Sequence, residues 1–111
     1  MTKYNARATT IDGIRFASKA ESVRYTELKL LQEAGEIDGL ELQPSFVIWS
    51  VNNYKTGKTD SITYIADFKY FQNGQYTVED VKGVLTPVYR MKKKMFLAGY
   101  PHIKFIEVKN A

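Results

Sequence analysis

The 111 residues, 44% of them hydrophobic and 25% charged, have the composition of one folded domain with a single sheet and a few helices, too small for separate catalytic and binding lobes. There is no cysteine and one histidine, His102, which excludes a disulfide scaffold, thiolate zinc sites and a cysteine nucleophile and leaves histidine-based metal or triad chemistry without its parts. The net charge is +4, and Lys82, Arg90, Lys92, Lys93, Lys94 and Lys104 fall within residues 81–106 with no Asp or Glu among them, so the C-terminal half reads as facing a polyanion or as a plain solvated lysine-rich surface.

No apolar stretch approaches the ~20 residues of a membrane span, and Met1-Thr2-Lys3-Tyr4-Asn5 does not read as a signal peptide, so a cytoplasmic, membrane-free protein is expected. Ile11-Asp12-Gly13-Ile14 reads as a tight hairpin turn with Thr9 and Thr10 on one arm and Arg15 and Phe16 on the other. Ser18, with Glu21 three residues on, has the spacing of a capping box, and Tyr25, Leu28, Leu31 and Ala34 recur at helical spacing until Gly35, so a helix is expected over about 19–34. Leu40 to Val51 reads as one strand entered past Gln43-Pro44, residues 52–60 as a polar loop, and Ser61–Phe71 and Gln75–Lys82 as two strands joined by Asn73-Gly74. Thr86 and Pro87 open a second helix whose apolar face is read as Val88, Met91 and Met95, with Arg90, Lys93, Lys94 and Leu97 away from it; Gly99 and Pro101 end it. A last strand is expected at His102–Val108, returning parallel to the third. The predicted class is a mixed α+β fold in the order helix, three antiparallel strands, helix, strand, with an N-terminal hairpin and no second domain.

If Asn73-Gly74 is a two-residue turn, residue 72 faces 75, and counting back along both arms sets Asp67 opposite Asp80 on one sheet face. Cross-strand Cβ atoms stand ~5 Å apart and like charges there repel, so the pair requires a counter-charge. Lys82, two residues along from Asp80, supplies one, and Mg²⁺ or Mn²⁺, which accept a few carboxylates and keep several waters, supply the other.

Asp67 with Asp80-Val81-Lys82 resembles the signature of the PD-(D/E)XK nuclease superfamily, with Ala66 where that family often has Pro. The resemblance extends to a group of small phage-encoded proteins with this core through Asp12-Gly13-Ile14-Arg15-Phe16, Ser18-Lys19-Ala20-Glu21, Leu40-Glu41-Leu42-Gln43-Pro44, Tyr64-Ile65-Ala66-Asp67-Phe68 and Val78-Glu79-Asp80-Val81-Lys82-Gly83, covering nearly the whole chain. It implies a restriction-endonuclease-like core and a phosphodiester hydrolase in which Asp67, Asp80 and the Val81 carbonyl hold a divalent metal. Glu21 completes or extends that set, as in similar junction-resolving phage endonucleases and a transposon end-cutting nuclease. Lys82 then orients the attacking water or stabilises the phosphorane-like state, and Gln43 is a candidate to hydrogen-bond that water or the phosphate.

Each residue also has a plain structural reading: Glu21 as a capping residue, Asp80 with Lys82 as a surface ion pair, Gln43 as a strand residue, His102 as a solvated strand start, and Glu79 as solvated charge on the opposite face. Candidate DNA contacts are Arg90, Lys93 and Lys94, with Tyr89 a candidate to stack on an unpaired base or else to pack, and Lys55 and Lys58 of the polar loop. The expected activity is a metal-dependent DNA endonuclease in phage recombination or processing, with branched DNA such as a four-way junction as substrate. Paired cuts need a homodimer, because one chain this short presents one site. A catalytically silent DNA-binding or inhibitory module and an RNA-directed nuclease are the alternatives.

Overall fold

A computed structural model describes residues 8–109; Met1 to Asn5, read above as lacking a signal sequence, lie outside them. In chain order the described elements are β1 (Thr9–Ile11), β2 (Ile14–Phe16), α1 (Lys19–Glu33), β3 (Asp38–Leu42), β4 (Ser45–Asn53), β5 (Lys58–Ile65), β6 (Phe68–Gln72), β7 (Gln75–Lys82), α2 (Pro87–Gly99) and β8 (Lys104–Lys109). They build a mixed α+β fold: a four-stranded sheet in the order β3-β6-β7-β8, and two separate hairpins, β1-β2 and β4-β5. The strand after α2 does return parallel to β7, while β3, β6 and β7 run antiparallel.

Local chemistry sets most boundaries. Ser18 Oγ accepts from the Glu21 N–H at 3.2 Å to start α1, and Thr86 Oγ1 accepts from the Tyr89 N–H at 3.1 Å, with Pro87 next, to start α2. Asn73 and Gly74, at φ 52° and 76°, form the mirror-image turn whose twist matches its flanking strands, and Gln72 pairs with Gln75 as expected.

Helices cover both faces of the sheet. Strand alternation sends Phe68, Tyr70 and Val81 toward α1, where Tyr25 and Leu28 meet them, and Val78 toward α2, where Tyr89 and Phe96 meet Phe46 and Tyr64. Phe96 is fully buried among the rings of Phe46, Tyr64, Tyr100 and Phe105. Val88 and Met91, by contrast, are exposed, so the inward face of α2 is Tyr89 and Phe96 rather than the predicted Val88, Met91 and Met95. Aromatic rings bury more area than a valine or methionine and win the contact.

Two predicted strands are each broken in the middle. Gln43 takes a left-handed φ of 51° and Pro44 has no N–H to give, so the stretch read as one strand divides into β3 and β4. Opposite this break, Ala66 and Asp67 separate β5 from β6. The two breaks are tied together by Gln43 N–H to Asp67 O at 2.9 Å and Ala66 N–H to Pro44 O at 3.1 Å. Beyond this joint β4 and β5 leave the main sheet as their own hairpin. The ladder continues to Asn53 opposite Lys58, so most of the stretch read as a polar loop is regular strand, with a turn only at 54–57.

Candidate active site

The joint puts Asp67 immediately before β6, where its backbone bends instead of lying within a continuous strand as predicted. The regular register of β6 and β7 ends at Phe68 opposite Glu79, and Asp67 is held against β7 by its own hydrogen bonds instead. The Asp67 N–H bonds to Glu79 O at 3.1 Å, and Asp67 Oδ2 accepts from the Val81 N–H at 2.7 Å. The Asp67 carboxyl thus lies close enough to Asp80 to feel its charge. Burial first, and then the charge of Asp80, push the Asp67 carboxyl up to about 8, against the opposing pull of the Val81 N–H.

Asp80 is buried, with 1% of its surface exposed. Tyr64 Oη donates to its Oδ2. Lys82 Nζ stands 3.2 Å from Oδ1, yet that oxygen receives no well-directed hydrogen bond. Lys82 is itself held over the Tyr89 ring, 4.4 Å from its centroid. A buried carboxylate oxygen short of a partner, facing a second carboxylate, costs stability unless something fills it.

Glu21 approaches from the first turn of α1. The N–H of Glu21 serves the Ser18 cap, and its carboxylate makes no hydrogen bond among the described residues, so the capping reading does not use the side chain. It is half-buried, and burial raises its carboxyl above the usual range. Lys82 opposes that rise and Asp80 adds to it, which places Glu21 within electrostatic reach of both. Glu21 and Asp67 also line a cavity of about 170 Å³ together with Gln43 and Arg15. Gln43 reaches this cavity from the left-handed joint, not from within a strand as expected.

The structure brings Asp67, Asp80 and Lys82 together, with Val81 touching them through its N–H, while Glu21 shares a cavity with Asp67 and Gln43 and reaches Asp80 and Lys82 through charge. Among the described residues no group of three or more His, Cys, Asp or Glu side chains forms a ready cage for a metal ion. Mg²⁺ and Mn²⁺ do not need one, because two carboxylates with waters and a backbone oxygen suffice beside a phosphate. Asp80 Oδ1, without a hydrogen bond, and the neighbouring Asp67 carboxyl, whose charge burial disfavours, fit such an ion.

The predicted DNA contacts fare unevenly. Tyr89 is buried and donates to Glu107 Oε1 at 2.7 Å, so it packs and is not free to stack on a base. Lys93 Nζ is paired with the same Glu107 oxygen at 3.0 Å. These two donors, Tyr89 foremost, hold the Glu107 carboxyl below its usual range. Arg90 and Lys94 are exposed on α2, and Lys55 and Lys58 are exposed at the tip of the β4-β5 hairpin.

Three neighbours carried no signal that the sequence reading used. Glu79, expected to be solvated, is fully buried: Arg24 Nε and Nη2 donate to its two oxygens at 2.7 and 2.8 Å, and Tyr70 Oη donates as well. The signal was available, since a strand with a partner on each side and a helix on each face has no solvated face. Tyr64 falls inside an apolar run that hides its hydroxyl. Arg15 is placed on the cavity wall by β1-β2, whose Asp12 is anchored to α1 by Lys29 Nζ at 2.6 Å and Tyr25 Oη at 3.0 Å.

The fold and cluster define a mixed α+β domain with an acidic pair and a lysine where two strands meet a bend. The whole chain, residues 1–111, matches the model of the DUF1064 family, described as proteins of unknown function, and the chain belongs to that family. No curated protein matches it. Among the described residues no helix is long and apolar enough to cross a membrane.

Proposed function

We propose that this chain is a divalent-metal-dependent DNA endonuclease with a restriction-endonuclease-like core of the PD-(D/E)XK kind. One observation carries the reading: Asp67, at the bend before β6, lies close to the buried Asp80 of β7, whose Oδ1 has Lys82 for an ion-pair partner but no hydrogen bond. A sequence selected for folding alone avoids that arrangement, because it buries like charges and strands an acceptor.

In this reading Asp67 and Asp80, with the Val81 carbonyl and Glu21, hold Mg²⁺ or Mn²⁺, which supplies charge neutralisation at the phosphate and a more acidic bound water. Lys82, fixed between Asp80 and the Tyr89 ring, presents its ammonium to a phosphate oxygen or to the attacking water. Gln43 and Arg15 flank the same cavity, Gln43 as a hydrogen-bonding group and Arg15 as a cation for a non-bridging oxygen. Water adds to phosphorus and one bridging P–O bond breaks, leaving a hydroxyl on one product and a phosphate monoester on the other. Arg90 and Lys94 on α2, and Lys55 and Lys58 on the hairpin, extend the cationic surface along the polymer. Branched DNA is the proposed substrate, cut on two strands by a homodimer that places one such site on each strand.

The test incubates the protein with supercoiled, linear, single-stranded and four-way-junction DNA and with RNA, in Mg²⁺, Mn²⁺ or chelator, beside an Asp80→Ala control. Metal-dependent cutting of DNA, lost in the control, is expected. Cutting in chelator, or full activity of the control, refutes the mechanism, and preference for RNA moves the substrate. Sedimentation on junction DNA checks the dimer.

A further inference from the structure

We propose that the ion pair between part-exposed Arg24 and buried Glu79 is a positioning device that sets where the Glu21 carboxylate stands relative to Asp80. The inference rests on the nuclease reading of that site. Glu21 and Arg24 are three residues apart on α1 and so share one side of the helix, while Glu79 and Asp80 are consecutive on β7. A single contact between residues 24 and 79 therefore fixes the two elements that supply the acids from opposite faces of the sheet.

The geometry of the contact suits that task. Arg24 meets Glu79 through two roughly parallel bonds, Nε to Oε1 at 2.7 Å and Nη2 to Oε2 at 2.8 Å, and the Glu79 side chain is 0% exposed. Tyr70 Oη donates to Oε2 from β6, and Glu27 accepts from Arg24 Nη1 at 3.2 Å, so both partners are held on further sides. α1 is also tied to β3 near its C-terminal end, where the Leu40 N–H donates to Gln32 Oε1 at 2.8 Å, and to the β1-β2 hairpin through Asp12; nearer Glu21 it packs on the sheet through the apolar Tyr25 and Leu28. Apolar contact is non-directional and tolerates a small slide or roll of a helix, whereas a forked guanidinium–carboxylate pair does not. A pair with one buried partner adds little net stability over a well-packed apolar substitute, which leaves orientation as its contribution.

The experiment replaces the pair by apolar residues of similar volume, Arg24→Met with Glu79→Leu, and combines it with Glu21→Gln in a mutant cycle. Three quantities are read: the thermal midpoint, Mn²⁺ binding by electron paramagnetic resonance, and the Mg²⁺ concentration giving half-maximal cleavage. The double variant is expected to stay folded, while Mn²⁺ affinity and cleavage each fall roughly 10- to 100-fold. In the Glu21→Gln background the same substitutions should change Mn²⁺ affinity less than about twofold, because the residue they act through is already gone. A folded double variant with wild-type Mn²⁺ binding, or an undiminished loss in the Glu21→Gln background, overturns the proposal. If the double variant does not fold, Glu79→Gln, which keeps shape and one acceptor, is carried through the same cycle with the same two outcomes. Wild-type protein that neither binds Mn²⁺ nor cuts DNA refutes the nuclease reading itself. Wild-type activity with indifferent variants refutes only the positioning role.

Discussion

The substitution Asp80→Asn should make the metal-free protein more stable while abolishing the proposed DNA cleavage, a combination that a purely structural aspartate cannot give. Two full charges ~5 Å apart at an effective dielectric of ~20 repel by about 3 kcal/mol. Wild-type protein avoids part of that cost by keeping a proton on the pair, since burial and the Asp80 charge hold the Asp67 carboxyl up at about 8, against an ordinary 3.8. A carboxyl raised in the folded state favours folding fully below its unfolded value, and that contribution is lost as pH rises through the folded one. The window here runs from about pH 4 to pH 8. The substitution removes the share due to Asp80 but leaves the share due to burial, so the variant loses less over that window. Its amide oxygen still accepts from Tyr64, and Lys82, 29% exposed, keeps access to water when the ion pair is lost. In chelator the variant should thus be nearly as stable as wild type at pH 5 and about 1–3 kcal/mol more stable at pH 8.5. Urea unfolding followed by circular dichroism at both pH values measures this. A variant less stable at pH 8.5, or a gap that does not widen with pH, would refute the account of the pair.

Other consequences are independent of that variant. If the cation displaces the Asp67 proton, Mn²⁺ affinity should rise about tenfold per pH unit between pH 6 and 8 and level off above, with proton release seen by calorimetry in buffers of different ionisation enthalpy. Phe96→Ala, at a fully buried ring cluster, should cost about 3–5 kcal/mol, whereas Val88→Ala on the exposed face should change stability by less than about 0.5 kcal/mol. The reverse ranking in denaturant melts would overturn the assigned inner face of α2. Removing Arg90 and Lys94 together should weaken duplex binding and lower the slope of log affinity against log salt by roughly 2, read by fluorescence anisotropy.

What the sequence made legible and what it hid divide along physical lines. The caps at Ser18 and Thr86, the turn at Asn73-Gly74 and the register that pairs 72 with 75 and 68 with 79 each follow from chemistry within a few neighbouring residues. The breaks at Gln43 and at Ala66-Asp67 are set by tertiary pairing of the two with each other, and a glutamine gives no warning of a left-handed φ. In α2 the spacing of Tyr89 and Phe96 is as helical as that of Val88, Met91 and Met95, so periodicity alone could not choose the buried side. Glu79 was misplaced by treating the strand as half-solvated, although its parallel partner β8 and antiparallel partner β6 make it central. The acids themselves were readable because they violate the alternation around them, and the residues that steady them were not, because Arg24 and Tyr64 look like ordinary members of a helix and a strand.

The outer half of the β4-β5 hairpin ends in a turn at 54–57 whose residues are all exposed, and neither core draws on it. Foreign segments spliced there should leave folding intact, with each doubling of inserted length adding only about 0.6 kcal/mol of closure entropy. Because the same ribbon is rooted at Gln43 and Asp67, a dye grafted at its end would serve as a lever-arm reporter, turning small rotations at the Gln43–Asp67 joint into large displacements at the probe.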